Sequence, residues 1–192
     1  MEGELEQRRT RNVIKIVLFG PESTGKTTLA KMLAEHYETE WVPEYMREYL
    51  QKKWNKEQKI CEPHDLLPIA KGQILLENKK AATASELLFC DTNLLELVVY
   101  SRAYYNEFVD PSLLKPALKA KYDLYFLTYI DVPWVEDDLR DRPLQRDLMF
   151  ARFENTLIQN DLPYRVLQGS LQQRFDAAVQ IIDQLKNKEI GL

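Results

Sequence analysis

The chain has 192 residues, of which 45% are hydrophobic and 29% are charged, and its net charge at neutral pH is −4. This length and balance predict one globular domain with a sizeable core. A protein that is held to nucleic acid by its phosphates needs a basic face, which the excess of acidic residues argues against. We therefore expect no nucleic-acid partner.

The first twelve residues, MEGELEQRRTRN, are charged and lack the apolar segment of a signal peptide. We expect residues 1–12 to form a mobile tail and residues 13–192 to form the domain. No apolar run in the chain approaches the roughly 20 residues that are needed to cross a bilayer. These features predict a cytoplasmic protein without a membrane partner.

An apolar run, VIKIVLF, leads into GPESTGKT at positions 20–27 and then into a helical pattern. This is the G-x-x-x-x-G-K-[ST] phosphate-binding loop, or P-loop, in its usual place between a strand and a helix. Gly20 and Gly25 allow backbone angles that turn successive N–H groups toward a phosphate. Lys26 can reach the outer phosphates, and the Thr27 hydroxyl is placed to coordinate Mg²⁺. The loop predicts that the chain binds a nucleoside triphosphate.

Short apolar runs alternate with helical segments along the rest of the chain. The pattern predicts strands at residues 13–19, 40–42, 87–90, 124–127 and 165–167. It predicts helices at about residues 26–37, 45–54, 65–84, 94–107, 112–120, 146–160 and 171–187. Alternating β and α units of this kind predict an α/β fold, a parallel five-stranded sheet with helices on both faces. In such sheets a ligand lies at the carboxyl ends of the strands.

Charged residues follow two of the predicted strands at those ends. Asp91 ends the third strand, where an acidic residue commonly faces the Mg²⁺ or the reacting phosphoryl group. The alternative is that Asp91 caps the next helix. Glu44 and Arg47 follow the second strand, three residues apart at a helix start, so both can face one pocket. An incidental surface pair remains the alternative for these two residues.

The segment at residues 131–146, DVPWVEDDLRDRPLQR, follows the fourth strand and is long for a simple connection. It carries Arg140, Arg142 and Arg146 among five acidic residues. A solvated charged loop is one interpretation. We favour a lid that closes over the site and brings guanidinium groups onto the transferring phosphates.

With these residues in view, the chain resembles the ribosylnicotinamide kinase domain of NadR-type NAD-salvage proteins. The resemblance lies in GPESTGKTTLA, WVPEYMREYL, the Asp-Thr turn after the third strand, YDLYFLTYIDVPWVEDDLRD and LPYRVLQG, and covers about residues 13–187. It implies a P-loop NTPase fold of the nucleoside and nucleotide kinase type, with a lid. It also implies transfer of the ATP γ-phosphoryl group to the 5′-hydroxyl of nicotinamide riboside, which yields nicotinamide mononucleotide.

The resemblance also implies roles for individual residues. The ATP phosphates would lie on the P-loop and the start of its helix, at Gly20, Glu22, Ser23, Thr24, Gly25, Lys26, Thr27 and Thr28. The Mg²⁺ ion would lie near Thr27 and Asp91. The nucleoside substrate would contact Glu44, Tyr45, Arg47, Asp91 and Asn93.

The turn after the third strand departs from the family pattern at one position. The family usually has Asp-Thr-Asp, and this chain has Asp91-Thr92-Asn93. An amide at position 93 can still hydrogen-bond a ribose, but it cannot act as a base or offset the charge of a pyridinium. The departure therefore bears on the identity of the acceptor and not on the fold.

For the mechanism, we expect in-line phosphoryl transfer that depends on positioning and charge neutralisation. Asp91 would orient or deprotonate the acceptor hydroxyl, and Lys26 with Arg140 and Arg142 would stabilise charge on the γ-phosphoryl group. Two alternatives stay open at this point. One is a P-loop kinase that acts on another nucleoside or small molecule, and the other is a nucleotide-dependent regulatory ATPase.

Overall fold

In a computed structural model, the structure describes residues 5–8, 13–139 and 143–190. A parallel sheet of five strands forms its centre, in the order β2-β3-β1-β4-β5. The strands are β1 (Ile14–Phe19), β2 (Glu40–Val42), β3 (Leu87–Asp91), β4 (Leu124–Thr128) and β5 (Tyr164–Leu167). Each begins and ends within one residue of its predicted bounds. The predicted five-stranded parallel sheet is confirmed.

Seven α-helices in the described residues connect and cover these strands. They are α1 (Lys26–His36), α2 (Tyr45–Glu57), α3 (Leu66–Ala81), α4 (Leu94–Tyr104), α5 (Pro111–Lys119), α6 (Arg146–Gln159) and α7 (Leu171–Ile190). The main differences from prediction are at four C-terminal ends, of which those of α2 and α7 lie three residues later than predicted, at Glu57 and Ile190. Helix α3 ends three residues early, and α4 ends at Tyr104 because Asn106 and Glu107 take positive φ angles of 51° and 64°, which no α-helix contains.

The core lies on both faces of the sheet, as a parallel sheet with helices on each side requires. In β1, Val17 and Phe19 point to the face covered by α2 to α6, and Ile16 and Leu18 point to the face covered by α1 and α7. All four residues have no exposed surface. Burial on both faces explains why β1 appears in the sequence as an apolar run that is interrupted by Lys15 alone.

The N-terminal segment at residues 5–8 departs from the predicted mobile tail. Leu5 is buried in the core, and the Gln7 side-chain amide donates to Glu77 Oε1 at 2.7 Å. Gln7 Oε1 also accepts from the Lys121 N–H at 2.8 Å. These contacts hold residues 5–8 against the domain, and the rest of the predicted tail, 1–4 and 9–12, lies outside the described residues. Among the described residues, no helix is both long and apolar enough to cross a membrane.

Candidate active site

The P-loop follows β1 directly and has the backbone that a phosphate site requires. Gly20 and Gly25 take positive φ angles of 138° and 82°. A Cβ atom at Gly20 would lie 2.7 Å from Thr128 Oγ1, so a larger residue would clash with the end of β4. The Lys26 ammonium donates to the carbonyl oxygens of Gly20 at 2.7 Å and Pro21 at 2.9 Å. Lys26 therefore lies folded back over the loop.

Thr27 and Asp91 meet beside the loop because of the strand register. Leu18 of β1 pairs with Asp91 of β3, which brings the end of β3 next to the start of the loop. The Thr27 hydroxyl donates to Asp91 Oδ2 at 2.5 Å. Asp91 is 1% exposed, and its Oδ1 has no hydrogen-bond partner in the described part of the chain. Burial raises the pKa of Asp91, although Lys26 and the Thr27 hydroxyl act in the opposite direction.

Asn93 is a helix cap in the structure, which differs from the expected substrate contact. Its Oδ1 accepts from the N–H groups of Leu95 and Glu96 at 3.1 and 3.3 Å, as an N-cap residue does. Its amide donates to the Tyr125 hydroxyl at 3.1 Å. Asn93 is 1% exposed and both ends of its amide are in use, so the departure from Asp-Thr-Asp falls on a structural position. The alternative role of Asp91 as the cap of α4 is excluded by the same bonds.

A cleft opens beside Thr27 and Asp91, between the start of α1 and the length of α2. Its volume is about 590 Å³, and it is lined by Thr27, Trp41, Pro43, Glu44, Arg47, Glu48, Gln51, Lys52, Asn55 and Asp91. The size is within the range of small-molecule sites. Four of the predicted site residues therefore share one cleft, and Trp41, Gln51 and Asn55 are additions that the sequence did not single out.

Glu44 and Arg47 differ in electrostatic setting within this cleft. Burial and the nearby Asp91 carboxylate raise the pKa of Glu44 to about 7, although Lys26 and Arg47 favour the charged form. The Arg47 guanidinium forms an ion pair with Asp137 of the lid segment. Glu44 is thus suited to exchange a proton near neutral pH, whereas Arg47 connects α2 to the lid segment.

Tyr45 does not line the cleft, which differs from the predicted substrate contact. Its ring packs on α3, where a Cβ atom built on Gly72 would lie 2.1 Å from Tyr45 Cε1. Its backbone N–H donates to Gln73 Oε1 at 2.8 Å. The contacts of Tyr45 hold the start of α2 against α3.

The lid segment crosses the P-loop and α2. The Val135 N–H donates to Ser23 Oγ at 2.9 Å, and the Gln51 amide donates to Asp138 Oδ2 at 3.2 Å. Arg146, at the end of the segment, donates to Val132 O at 2.8 Å and Ser23 O at 3.3 Å.

Arg146, the last of the three lid arginines, lies beside the ring of Trp134. The Arg146 guanidinium lies 5.8 Å from the centre of the Trp134 ring, which is within cation–π range. Arg146 and Trp134 also line a small crevice together with Pro21, Glu22, Tyr100, Tyr104 and Met149. The predicted phosphate-binding Arg140 and Arg142 lie outside the described residues.

Arg174 of α7 is a site residue that sequence reasoning missed. It is 2% exposed and donates to Thr24 O at 2.7 Å, Gly169 O at 3.0 Å and Tyr129 O at 2.9 Å. It also forms an ion pair with Asp131. One guanidinium therefore joins the P-loop to the carboxyl ends of β4 and β5. No local pattern in the sequence marks it, because Thr24 is 150 residues away.

The family model described as AAA domain matches residues 15–174. The trifunctional NAD biosynthesis/regulator protein NadR of Escherichia coli (strain K12) is 24% identical over 179 residues, which is 91% of this chain and 43% of the relative. NadR of Salmonella typhimurium gives the same identity and coverage. The chain spans less than half the length of these curated relatives.

Solved structures show the same fold. A crystal structure of NadR protein in complex with NR has a TM-score of 0.79 at 21% identity, covering 90% of this chain and 51% of that chain. A deoxyadenosine kinase from M. mycoides has a TM-score of 0.64 at 17% identity and covers 89% of this chain and all of that chain. The predicted P-loop nucleoside-kinase fold and the resemblance to NadR-type proteins are confirmed. Because the family model covers most of the domain, the chain belongs to the AAA domain family of P-loop proteins.

Proposed function

We propose that this chain transfers the γ-phosphoryl group of ATP to the 5′-hydroxyl of nicotinamide riboside. The observation that carries the proposal is the contact of Thr27 with Asp91, which joins the P-loop to a cleft of about 590 Å³. A phosphate-binding loop beside a nucleoside-sized cleft is the arrangement that phosphoryl transfer between two bound substrates needs. The likeness to NadR proteins, one of them solved with NR, supports nicotinamide riboside as the acceptor.

The P-loop residues would bind and neutralise the phosphates. The backbone N–H groups of the loop and the N-terminus of α1 form the anion site, and Lys26 moves from its own loop carbonyls onto the outer phosphates. Ser23 and Arg146 hold the lid segment over the loop, which excludes water from the transferring group. Arg140 and Arg142 stay candidates for direct phosphate contacts.

Thr27 and Asp91 form a pair that fits Mg²⁺. Both offer oxygen atoms, which this hard cation prefers, and Asp91 Oδ1 is buried without a hydrogen-bond partner in the described residues. Bound there, Mg²⁺ would neutralise charge that develops on the phosphoryl oxygens. With Asp91 engaged in this way, its expected role shifts from accepting the proton to holding the metal.

Glu44 is then the better candidate to accept the proton of the acceptor hydroxyl. It lines the same cleft as Asp91, and its pKa of about 7 suits a general base at neutral pH. Arg47 in the same wall would hydrogen-bond the acceptor once the lid segment releases it from Asp137.

The test is ADP release by the purified chain with Mg-ATP, with and without nicotinamide riboside. Lys26→Ala serves as the blank because it removes the phosphate-binding ammonium. We expect strong stimulation, with nicotinamide mononucleotide as the product. If nucleotide binds but nicotinamide riboside gives no stimulation, the acceptor is wrong, and a panel of other nucleosides identifies the correct one. Equal ADP release with and without every acceptor would support a regulatory ATPase.

A further inference from the structure

The carboxyl group of Glu96 lies buried beside the P-loop lysine and has no part in the proposed reaction. Glu96 Oε1 is 3.6 Å from Lys26 Nζ, and Glu96 is only 2% exposed. Its second oxygen, Oε2, has no hydrogen-bond partner among the described residues. A buried, half-satisfied carboxyl group is costly, so its position against Lys26 needs an explanation.

Lys26 is the cation around which this part of the site is built. Its ammonium already donates to two loop carbonyls, and it faces Glu44, Asp91 and Glu96. Burial raises the pKa of Glu96 well above its usual value, Lys26 opposes this, and the carboxyl groups of Glu44 and Asp91 add to it. One ammonium is shared by three carboxyl groups, of which Asp91 and Glu96 are buried and Glu44 is partly exposed. A triphosphate that enters the loop competes with them for the same lysine, and each carboxyl group that is ionised repels it.

We propose that Glu96 is a positioning residue that competes with nucleotide phosphates for Lys26. In the free protein above the raised pKa of Glu96, its carboxylate and the loop carbonyls together hold the ammonium away from the phosphate site. When the phosphates draw Lys26 toward them, Glu96 loses its cation and takes up a proton from solvent. Nucleotide binding is therefore coupled to proton uptake and weakens as the pH rises. The proposal concerns only the nucleotide half of the proposed reaction, so it holds whatever the acceptor is.

Several other titratable groups face Glu96 and contribute to the same coupling. They come from the elements around it: Lys26 of α1, Glu44 before α2, Asp91 of β3 and Tyr100 of α4. The acidic groups stay in place when Glu96 alone is changed. The difference between the native chain and a Glu96 variant therefore isolates the contribution of Glu96.

The experiment measures ATP binding to the full chain by titration calorimetry with EDTA present and no acceptor, between pH 6.5 and 8.5. Each titration is repeated in two buffers of different ionisation enthalpy, which gives the number of protons taken up. Three variants are compared with the native chain. Glu96→Gln keeps the shape but removes the charge, Glu96→Asp keeps the charge, and Glu35→Gln removes the same charge from an exposed position farther along α1.

We expect Glu96→Gln to bind ATP about tenfold more tightly at pH 8.5, since one like charge is removed near the phosphates. Its affinity should also depend less on pH, with fewer protons taken up. The ionisation of ATP itself is the same for all proteins and cancels. Glu96→Asp should keep a pH dependence close to the native one, and Glu35→Gln should match the native chain.

Three results would overturn the proposal. The first is an equal number of protons taken up by the native chain and by Glu96→Gln. The second is Glu96→Gln binding as the native chain does or more weakly, with an unchanged melting temperature. The third is an equal gain in affinity for Glu96→Asp and Glu96→Gln, because packing and not charge would then be the cause. A failure to phosphorylate nicotinamide riboside would leave all three readouts intact and would count only against the proposed acceptor.

Discussion

Replacing Arg174 with Met should loosen the P-loop from the far side of the sheet. Met has a similar length but cannot donate, so Thr24 O, Tyr129 O and Gly169 O lose their shared donor. Asp131 loses its ion pair as well. Removing one partner of a buried ion pair costs ~3–5 kcal/mol, and the lower end applies here because the Asp131 side chain is 30% exposed. We expect the free energy of unfolding to fall by about 3 kcal/mol.

For a chain of this size, 1 kcal/mol shifts the melting temperature by about 2–4 °C, so the expected fall is about 6–12 °C. Thermal unfolding followed by circular dichroism measures it. Arg165→Met is the matched control, because Arg165 is exposed on β5 and its side chain, within the described part of the chain, bonds only the neighbouring Tyr164 carbonyl. That control should stay within about 0.5 kcal/mol. A fall of less than 3 °C for Arg174→Met would refute the reasoning that this guanidinium joins the loop to β4 and β5.

Three further predictions concern the chemistry of the proposed kinase. Asp91→Asn should lower kcat by well over threefold and raise the Mg²⁺ concentration that is needed for half-maximal activity. A kcat within about threefold of the native value, which corresponds to a barrier change of under ~1 kcal/mol, would contradict the proposed role of Asp91 in holding the metal. Because its raised pKa leaves Glu44 protonated below about pH 7, kcat/KM should fall as the pH drops through 7. Glu44→Gln should remove this fall in the pH profile of kcat/KM and lower kcat by about 10²–10⁴. Arg146→Ala should lower kcat/KM for ATP by about 10–100-fold, because two charged hydrogen bonds are lost. The control Arg152→Ala removes an exposed ion pair on α6 and should leave kcat/KM for ATP unchanged. An equal fall in kcat/KM for both variants would argue against a specific role of Arg146 in holding the lid segment.

The positions of the strands and of the P-loop could be predicted because their signals are local. A strand that is buried on both faces appears as a short apolar run, and the glycine spacing of the loop follows from the backbone angles that it must adopt. The meeting of Thr27 with Asp91 could also be anticipated. Both residues lie at carboxyl ends in a parallel sheet, where neighbouring strands bring their last residues together.

The roles of neighbouring polar residues could not be separated in the same way. Asp91 and Asn93 are two residues apart and both suited to capping a helix or facing a ligand. The structure makes Asn93 the cap of α4 and leaves Asp91 on the site because only Asn93 lies where the free N–H groups of α4 begin. Tyr45 belongs to the same motif as Glu44, yet its ring packs on Gly72 because α3 crosses α2 at that point.

The amino-acid sequence by itself thus determined the order of the elements, the P-loop and the edge of the sheet at which chemistry takes place, since each depends on neighbouring residues. Only the tertiary structure decided that Arg174 supports the loop and that Glu96 faces Lys26. Their partners, Thr24 and Lys26, lie 150 and 70 residues away in the chain. The strength of these buried polar contacts depends on how far water is excluded, which no local sequence pattern encodes. A charged residue in a helix has the same sequence pattern whether it faces water or a buried lysine, and packing alone distinguishes the two.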